Sequence, residues 1–580
     1  MTVSTDLLDR ARAWAADDPD ATTRAEVEAL VAAATADPDG PEARDLADRF
    51  AGTLEFGTAG LRGALGGGPN RMNRAVVIRA AAGLAAYLKD NGAGPDAAVV
   101  IGFDARHYSD VFAQDTAAVM RGAGLRALLL PRPLPTPVLA YAIRKLGCVA
   151  GVMVTASHNP PQDNGYKVYL GRHAVPENGN GAQIVTPYDA SIAARINAVG
   201  PLESITLAHS GWTVLDASIA ADYERATAAL AMPGGFPARD LSIVLTPLHG
   251  VGGGTALAVL NAAGFKDITL VAEQAEPDPD FPTVSFPNPE EPGALDLALE
   301  SAERRGADIV IANDPDADRA AVAAKDPDTG AWRMLRGDEV GALLGAHIAA
   351  RIAAGKAKDD AGTEEGAQGV FANSIVSSRL LARIATAAGY AHQETLTGFK
   401  WISRVPGLVY GYEEALGYCV APDLVRDKDG ISAALLIAEL AAAAKADGKT
   451  VFDTLDELYL QHGLHASDQL SIRVADLGLL DAMMNRLRVS PPETFGSSAV
   501  EVYTDLAAGT NQLPPTDGLL YVTRDLTRVI IRPSGTEPKL KCYLEVIQHV
   551  GSAAELPAAR QAARAALDEV LRDVSEALGL

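Results

Sequence analysis

Val149-Ala-Gly-Val-Met-Val-Thr-Ala-Ser-His-Asn-Pro160 begins as a run of apolar and small residues and closes in a polar turn. A short, partly β-branched run bounded by Ser, Asn and Pro reads as a buried strand that ends in a loop. The design recurs. Ala307-Asp-Ile-Val-Ile-Ala312 runs into a loop that begins at Asn313, and Leu408-Val-Tyr410 into one that begins at Gly411. Each is preceded, across a helical stretch, by an earlier strand: Ala97-Ala-Val-Val-Ile-Gly102, Leu241-Ser-Ile-Val-Leu-Thr246 and Gly369-Val-Phe-Ala372. Such alternation with Ala- and Leu-rich helices predicts α/β architecture with mostly parallel sheet. In open α/β sheets ligands sit beyond the carboxyl ends of strands, so the three loops are expected to converge on one cleft.

Outward from these strands, the region from about Ser467 changes character. Thr527-Arg-Val-Ile-Ile-Arg532 and Lys539-Leu-Lys-Cys-Tyr-Leu-Glu-Val546 flank a Pro/Ser/Gly loop and precede a long Ala/Arg helix. The expected fold is three related α/β domains with mixed, mostly parallel sheets plus a smaller C-terminal α+β domain. We place them at 1–205, 206–325, 326–465 and 466–580. The Asp/Gly-rich stretch Gly355 to Gly369 is expected to be an exposed loop.

Length and charge agree with a multidomain globular chain. The 580 residues exceed what one hydrophobic core can organise, and 48% are hydrophobic. A net charge of −24, from 50 basic and 74 acidic residues, argues against nucleic-acid and anionic-membrane partners, because the field repels phosphates. Cys148, Cys419 and Cys542 show no CxxC spacing, so neither a disulfide framework nor a zinc cluster is expected. The N-terminal MTVSTDLLDRARAW has no signal-peptide core. The apolar stretch Ile431 to Ala444 is too short to span a membrane, carries Glu439, and reads as an amphipathic packing helix. A cytoplasmic location is expected; the oligomeric state is open.

Four loops carry chemistry. In Thr155-Ala-Ser-His-Asn-Pro160, Ser157 stands at a strand's carboxyl end like an exposed nucleophile, beside His158. A serine hydroxyl needs a base or a metal, and the G-x-S-x-G hydrolase elbow is absent. Taken alone, such a loop is as readily an ordinary turn. Asp314-Pro-Asp-Ala-Asp-Arg319 places three carboxylates at alternating positions after a buried strand, a hard-oxygen set suited to Mg²⁺. It fails as an EF-hand, since Arg319 and Lys325 stand where Gly and Glu are required. Gly411-Tyr-Glu-Glu-Ala-Leu-Gly417 offers adjacent carboxylates, Glu413 and Glu414, for the hydroxyls of a sugar, although Glu-Glu at a helix start is commonly dipole complementation. Arg532-Pro-Ser-Gly-Thr-Glu-Pro-Lys539 combines Arg532, Ser534, Gly535 and Thr536 into an anion nest, or a plain β-turn. Phe56-Gly-Thr-Ala-Gly-Leu-Arg-Gly63 adds a glycine-rich loop with Arg62. His249 belongs to no ligand set and is read as structural. A hydroxyl acceptor, a metal set, a hydroxyl-binding pair and a phosphate nest together describe phosphoryl transfer on a phosphorylated sugar.

In this order, from about Phe56 to Glu545, the four loops resemble the α-D-phosphohexomutase superfamily, which includes phosphoglucomutases and phosphomannomutases. Leu396-Thr-Gly-Phe-Lys-Trp401, Gly411 to Tyr418 and Val425-Arg-Asp-Lys-Asp-Gly430 are similar to the branch that contains phosphopentomutases and glucose-1,6-bisphosphate synthases. The resemblance implies four domains around a central cleft, which in chain order carry the phosphoserine, the metal, the sugar and the phosphate. It implies a phosphorylated Ser157 and one Mg²⁺ per chain, held by Ser157, Asp314, Asp316 and Asp318. His158 and Lys167 would move protons, with Arg62 stabilising charge. A lysine acting as base needs a depressed pKa, which burial and nearby arginines could supply. Arg319, Thr397, Gly398, Lys400, Glu413, Glu414 and Arg426 would bind substrate, and the Arg532 loop would clamp either phosphate in turn. Glucose 1,6-bisphosphate would be activator and intermediate in interconverting glucose 1-phosphate and glucose 6-phosphate.

The alternatives are mannose or pentose phosphates, a haloacid-dehalogenase-like phosphatase using Asp314, and a non-catalytic sugar-phosphate-binding protein. The phosphatase reading leaves Ser157 and the clamp unexplained. Ala415 stands where many dedicated phosphoglucomutases place serine, which removes one hydrogen bond available to a hexose.

Overall fold

The computed structural model describes residues 4–58, 60–327, 329–356, 369–474, 477–533 and 539–580. The chain divides into two compact units. One comprises residues 1–325, 330–334 and 417–443; the other 326–329, 335–416 and 444–580.

The first unit opens with three helices, Thr5–Asp17, Ala21–Ala36 and Pro41–Arg49, capped in turn by the Ser4 and Asp20 side chains and by a proline at the first turn of the third. They bury their own small core of Ala11, Val27, Leu46 and Phe50, with Trp14 edge-on to Phe50. A mixed sheet follows in the order Leu61–Ala64, Asp163–Leu170, Ala150–Val154, Ala98–Phe103, Arg126–Leu129 and Thr213–Val214. A second sheet runs Trp332–Met334, Ala320–Lys325, Ile309–Asn313, Ser242–Thr246 and Asp267–Leu270.

The expected strand pairs are present. Ala98–Phe103 lies parallel to Ala150–Val154, and Ser242–Thr246 parallel to Ile309–Asn313. Ala150–Val154 is buried throughout, as a strand covered on both faces must be. The antiparallel strands Asp163–Leu170 and Ala320–Lys325, each one in from an edge, make both sheets mixed. The helix Gly430–Ala446 corrects the expectation of an amphipathic helix: residues 430–442 are buried on every side. Its Glu439 is fully buried and accepts from the Met232 amide at 2.8 Å and from Arg239 at 3.4 Å, which satisfies a carboxylate that would otherwise be costly there.

The second unit contains the parallel strands Ala391–Thr395, Val370–Ser374 and Leu408–Glu413, the third expected pair among them. An antiparallel sheet follows in the order Leu464–Arg473, Lys539–Gln548, Arg528–Pro533, Leu519–Thr523, Ser498–Asp505 and Thr494–Phe495, against the long helix Leu556–Leu578. Ile375, Val376 and Leu396 from the first group share a core with Leu506, Ile530 and Tyr543 from the second. The strand from Leu408 continues to Glu413 rather than stopping at Tyr410, because Tyr410 and Tyr412 both bury aromatic rings suited to a pleated surface. Glu413 therefore ends a strand, Glu414 stands in the turn after it, and the pair does not begin a helix.

Most of the stretch 355–369 lies outside the described residues, as do Ser534, Gly535 and Thr536. Among the described residues no helix is long and apolar enough to cross a membrane, and the three cysteines are buried and unpaired.

Candidate active site

The strand Ala150–Val154 delivers its chain into a tight loop in which Ser157 adopts φ +53°. A serine accepts this left-handed geometry only where its surroundings impose it. Its amide donates to Thr155 Oγ1 at 2.8 Å. Its hydroxyl donates to Asp314 Oδ2 at 2.8 Å and lies 3.1 Å from His158 Nδ1. Ser157 is 3% exposed.

The loop after Ile309–Asn313 brings Asp314, Asp316 and Asp318 together, each almost fully buried, with carboxylate oxygens within 4.8 Å of one another. Among the described residues this is the one group of three such side chains able to hold a metal. Ala317, at φ +55°, makes the turn that points them inward. Asp316 Oδ2 accepts from Lys167 Nζ at 2.6 Å and from Thr136 Oγ1 at 2.6 Å. Asp318 Oδ2 accepts from Lys167 at 2.9 Å and pairs with Lys428 at 3.2 Å. Asp316 Oδ1 and Asp318 Oδ1 are buried with no hydrogen-bond partner among the described residues. Buried carboxylate oxygens left bare are costly, and a hard divalent cation is the ligand that such a donor set fits.

The electrostatics divide the three carboxylates. Burial, with Asp316 and Asp318 beside it, pushes Asp314 far above the usual carboxylate range. Burial acts on Asp318 in the same direction, but Lys167, Lys428 and Arg319 outweigh it and hold Asp318 well below that range. Burial pulls Lys167 down, and Asp316 and Asp318 more than reverse this, so its pKa is raised. The depressed lysine expected from the sequence is corrected accordingly: the side chain sits between two carboxylates, which outweigh burial, Lys428 and Arg62. His158 is lowered well below its ordinary value, first by burial and then by Arg319 and Arg62.

Arg62 donates to Asn159 Oδ1 at 3.2 Å and feels Asp316, Asp318 and Arg319. Arg319 donates its amide to Asp314 Oδ1 at 3.0 Å, and its guanidinium lies 4.0 Å from both Asp314 and Asp318. Arg426 donates to the Asn178 carbonyl at 3.0 Å. His249 bonds Thr283 Oγ1 at 2.8 Å and joins no metal-ligand group among the described residues.

In the second unit Glu414 Oε2 accepts from Ser374 Oγ and Ser377 Oγ, both at 3.0 Å. Glu413 is buried. Burial pushes the Tyr543 phenol well up, helped by Glu414 and Glu413 and opposed by Arg532, which hydrogen-bonds it. That phenol therefore reports Arg532 close to the glutamate pair. Thr397 and Gly398 precede Lys400 on the short helix Phe399–Ile402, with Gly398 at φ +112°.

Sequence reasoning gave no role to Lys428, although it stands in the quoted Val425–Gly430 stretch, nor to Thr136 and Arg106. Thr136 follows Pro135 at a helix start, where a threonine reads as capping. Arg106 follows Asp104 directly after a strand and looks like any exposed turn cation.

Models of the four phosphoglucomutase/phosphomannomutase domains match this chain: α/β/α domain I at residues 53–200, domain II at 228–330, domain III at 336–462 and the C-terminal domain at 486–560. A Haemophilus influenzae protein named "Probable phosphomannomutase" is 48% identical over 476 residues, covering 82% of this chain and 93% of its own length. The chain belongs to the phosphoglucomutase/phosphomannomutase family. The human protein named phosphopentomutase is 34% identical, over 88% of this chain and 87% of its own. Among solved structures, a phosphoglucomutase/phosphomannomutase family protein from Burkholderia thailandensis shares the fold at a TM-score of 0.64 and 20% identity, covering 90% of this chain and 97% of that one. Membership makes the chain a phosphosugar mutase of four domains and sets aside the phosphatase and non-catalytic readings.

Proposed function

We propose that this family member interconverts glucose 1-phosphate and glucose 6-phosphate through a phosphoserine at Ser157 and a glucose 1,6-bisphosphate intermediate. The observation that carries the reading is the Ser157 hydroxyl bonded to one carboxylate of a buried triad whose other two members each keep an oxygen with no hydrogen-bond partner among the described residues. Asp314, Asp316, Asp318 and the Ser157 phosphate would hold one Mg²⁺, which when bound neutralises charge on the phosphoryl oxygens.

The sugar monophosphate presents its free hydroxyl to the phosphorus on Ser157. An oxygen–phosphorus bond forms to the sugar as the Ser157 Oγ–phosphorus bond breaks. The hydroxyl proton goes to a base, and Ser157 Oγ takes up a proton as its bond to phosphorus breaks. His158, 3.1 Å from Ser157 Oγ, is placed to exchange a proton with the serine oxygen, whereas Lys167 has its Nζ taken by two carboxylates. The bisphosphate then returns its other phosphoryl group to Ser157. Arg62 and Arg319 offset charge near the serine. Glu413, Glu414, Lys400, Thr397 and Gly398 take sugar hydroxyls, and Arg532 with Ser534, Gly535 and Thr536 takes the phosphate not being transferred. Arg426, expected to bind substrate, has less support, since its guanidinium is turned to Asn178. Unpaired buried cysteines fit a cytoplasmic setting.

A pentose phosphate is the second reading, favoured by Ala415, which offers no hydroxyl to a hexose, and by the phosphopentomutase relative. Assays with Mg²⁺ and a trace of glucose 1,6-bisphosphate, supplied in turn with glucose, mannose and ribose 1-phosphate, decide between them. Fastest turnover of glucose 1-phosphate is expected. A tenfold or greater preference for ribose 1-phosphate would replace the hexose reading.

A further inference from the structure

After the strand Ala98–Phe103 the chain turns through Asp104-Ala105-Arg106-His107. Asp104 Oδ1 accepts from the Arg106 amide at 3.0 Å and from Ser109 Oγ at 2.7 Å, and its Oδ2 lies 3.5 Å from Arg106 Nε. The turn sends the Arg106 side chain inward, where it is 1% exposed.

There its guanidinium meets a row of backbone carbonyls. Nη2 donates to Ser157 at 2.7 Å and Asn159 at 2.5 Å; Nη1 donates to Pro160 at 2.8 Å and Asp163 at 3.1 Å. All four lie in or just after the loop that carries Ser157. Pro160 and Pro161 deprive that loop of two amide donors, so its shape depends on donors from elsewhere. The Phe281 ring covers the guanidinium, 5.0 Å from its carbon, while neighbouring His107 bonds Asp280 at 2.8 Å.

We propose that Arg106 is the positioning residue of the serine loop: one buried guanidinium that ties four carbonyls and holds Ser157 in its left-handed conformation. The inference rests on the reading of Ser157 as the phosphoryl carrier. That reading makes the need plain, because the Ser157 side chain would change by nearly two charges whenever its phosphate comes or goes. A loop shaped only by local turns would respond to that change. A planar fork with five fixed donors and a permanent charge does not, and lysine cannot reproduce it from a single nitrogen.

The test uses the full chain and whichever of glucose, mannose or ribose 1-phosphate the wild-type protein turns over fastest. Arg106→Lys should lower kcat about 100-fold, the loss expected for a misplacement of about 1 Å at the reacting atom, with KM changed less than threefold. Arg106→Gly should recover part of its rate with millimolar ethylguanidinium. Labelling by ³²P-glucose 1,6-bisphosphate should be slower in Arg106→Lys but reach the wild-type amount. Phe281→Leu, which removes the ring but keeps apolar cover, should lower kcat severalfold at constant KM and decides the matter should both arginine variants fail to fold.

An Arg106→Lys protein with wild-type kcat and reduced thermal stability would overturn the proposal, since Arg106 would then be merely structural. So would equal losses in kcat and substrate binding, or a Phe281→Leu protein with unchanged kcat. Ser157→Ala separates the two levels. If it still forms phosphoenzyme, the carrier reading fails; if it does not while Arg106→Lys is fully active, only the positioning role fails.

Discussion

Ser157, Asp316 and Thr136 each make defined contacts at the site whose loss has one readout. Ser157→Ala should abolish labelling by the bisphosphate and lower turnover at least ~10³-fold. Asp316→Ala removes a bare oxygen and the acceptor of two bonds, and titration calorimetry should show Mg²⁺ affinity reduced at least tenfold, about the scale of a lost ligand contact. Thr136→Val keeps the shape but deletes the 2.6 Å bond to Asp316 Oδ2, so about a tenfold loss of Mg²⁺ affinity with an intact fold is expected. Ser157 and the three aspartates were readable in the sequence because each loop follows a run that can only be a buried strand. Arg106, Thr136 and Lys428 were not. Their partners lie 51, 180 and 110 positions away, at Ser157, Asp316 and Asp318, and nothing local separates such residues from surface charges or caps.

At the level of elements, the strand pairs were legible because burial on both faces forces a continuous apolar run, whereas the helix Gly430–Ala446 was misread because an Ala-rich helix looks alike half-buried or enclosed. That helix begins at a glycine for a spatial reason. A Cβ on Gly430 would lie 2.2 Å from the Arg319 carbonyl and 2.8 Å from Asn313 Nδ2. Gly430→Ala should push the aspartate loop aside, costing about 2 kcal/mol or more and weakening Mg²⁺ binding; unchanged denaturation and metal affinity would refute the tight fit. In the other unit, the strand Lys539–Gln548 carries Glu545, which accepts from Ser378 Oγ at 2.7 Å, Arg379 N at 2.9 Å and Arg379 Nε at 2.5 Å. Burial raises its pKa, but Arg528 and Arg379 prevail and hold it down at about 2, against 4.5 ordinarily. The unfolded chain therefore binds this proton more readily, so the stabilisation is full above about pH 4.5 and is lost as pH falls toward 2. Glu545→Gln should remove roughly 3 kcal/mol at neutral pH and flatten that acid limb in denaturant titrations across pH.

For the molecule as a whole, a net charge of −24 leaves little reason for a buried carboxylate triad to tolerate bare oxygens unless a cation completes it. Mg²⁺ binding to the folded chain alone should raise Tm by about 2 °C at a hundredfold excess over Kd, a shift that EDTA abolishes together with activity and that Asp316→Ala lacks. Composition and length made a multidomain chain legible, and the order of four loops made its chemistry legible. Which stretches form one compact unit was not, since residues 417–443 join the first unit across a separation that no local pattern encodes. That crossing bears on synthesis. A ribosome delivers the aspartate loop long before Lys428, the ammonium that pairs with Asp318. At about 5–20 residues per second the nascent chain waits on the order of ten seconds before that carboxylate gains its last cation, after Lys167 and Arg319. Truncated chains ending at Leu416 are accordingly expected to be cut by protease within residues 309–325, and chains reaching Ala443 to resist, so that birth order along the polypeptide, and not only its final shape, governs when this centre becomes safe from degradation.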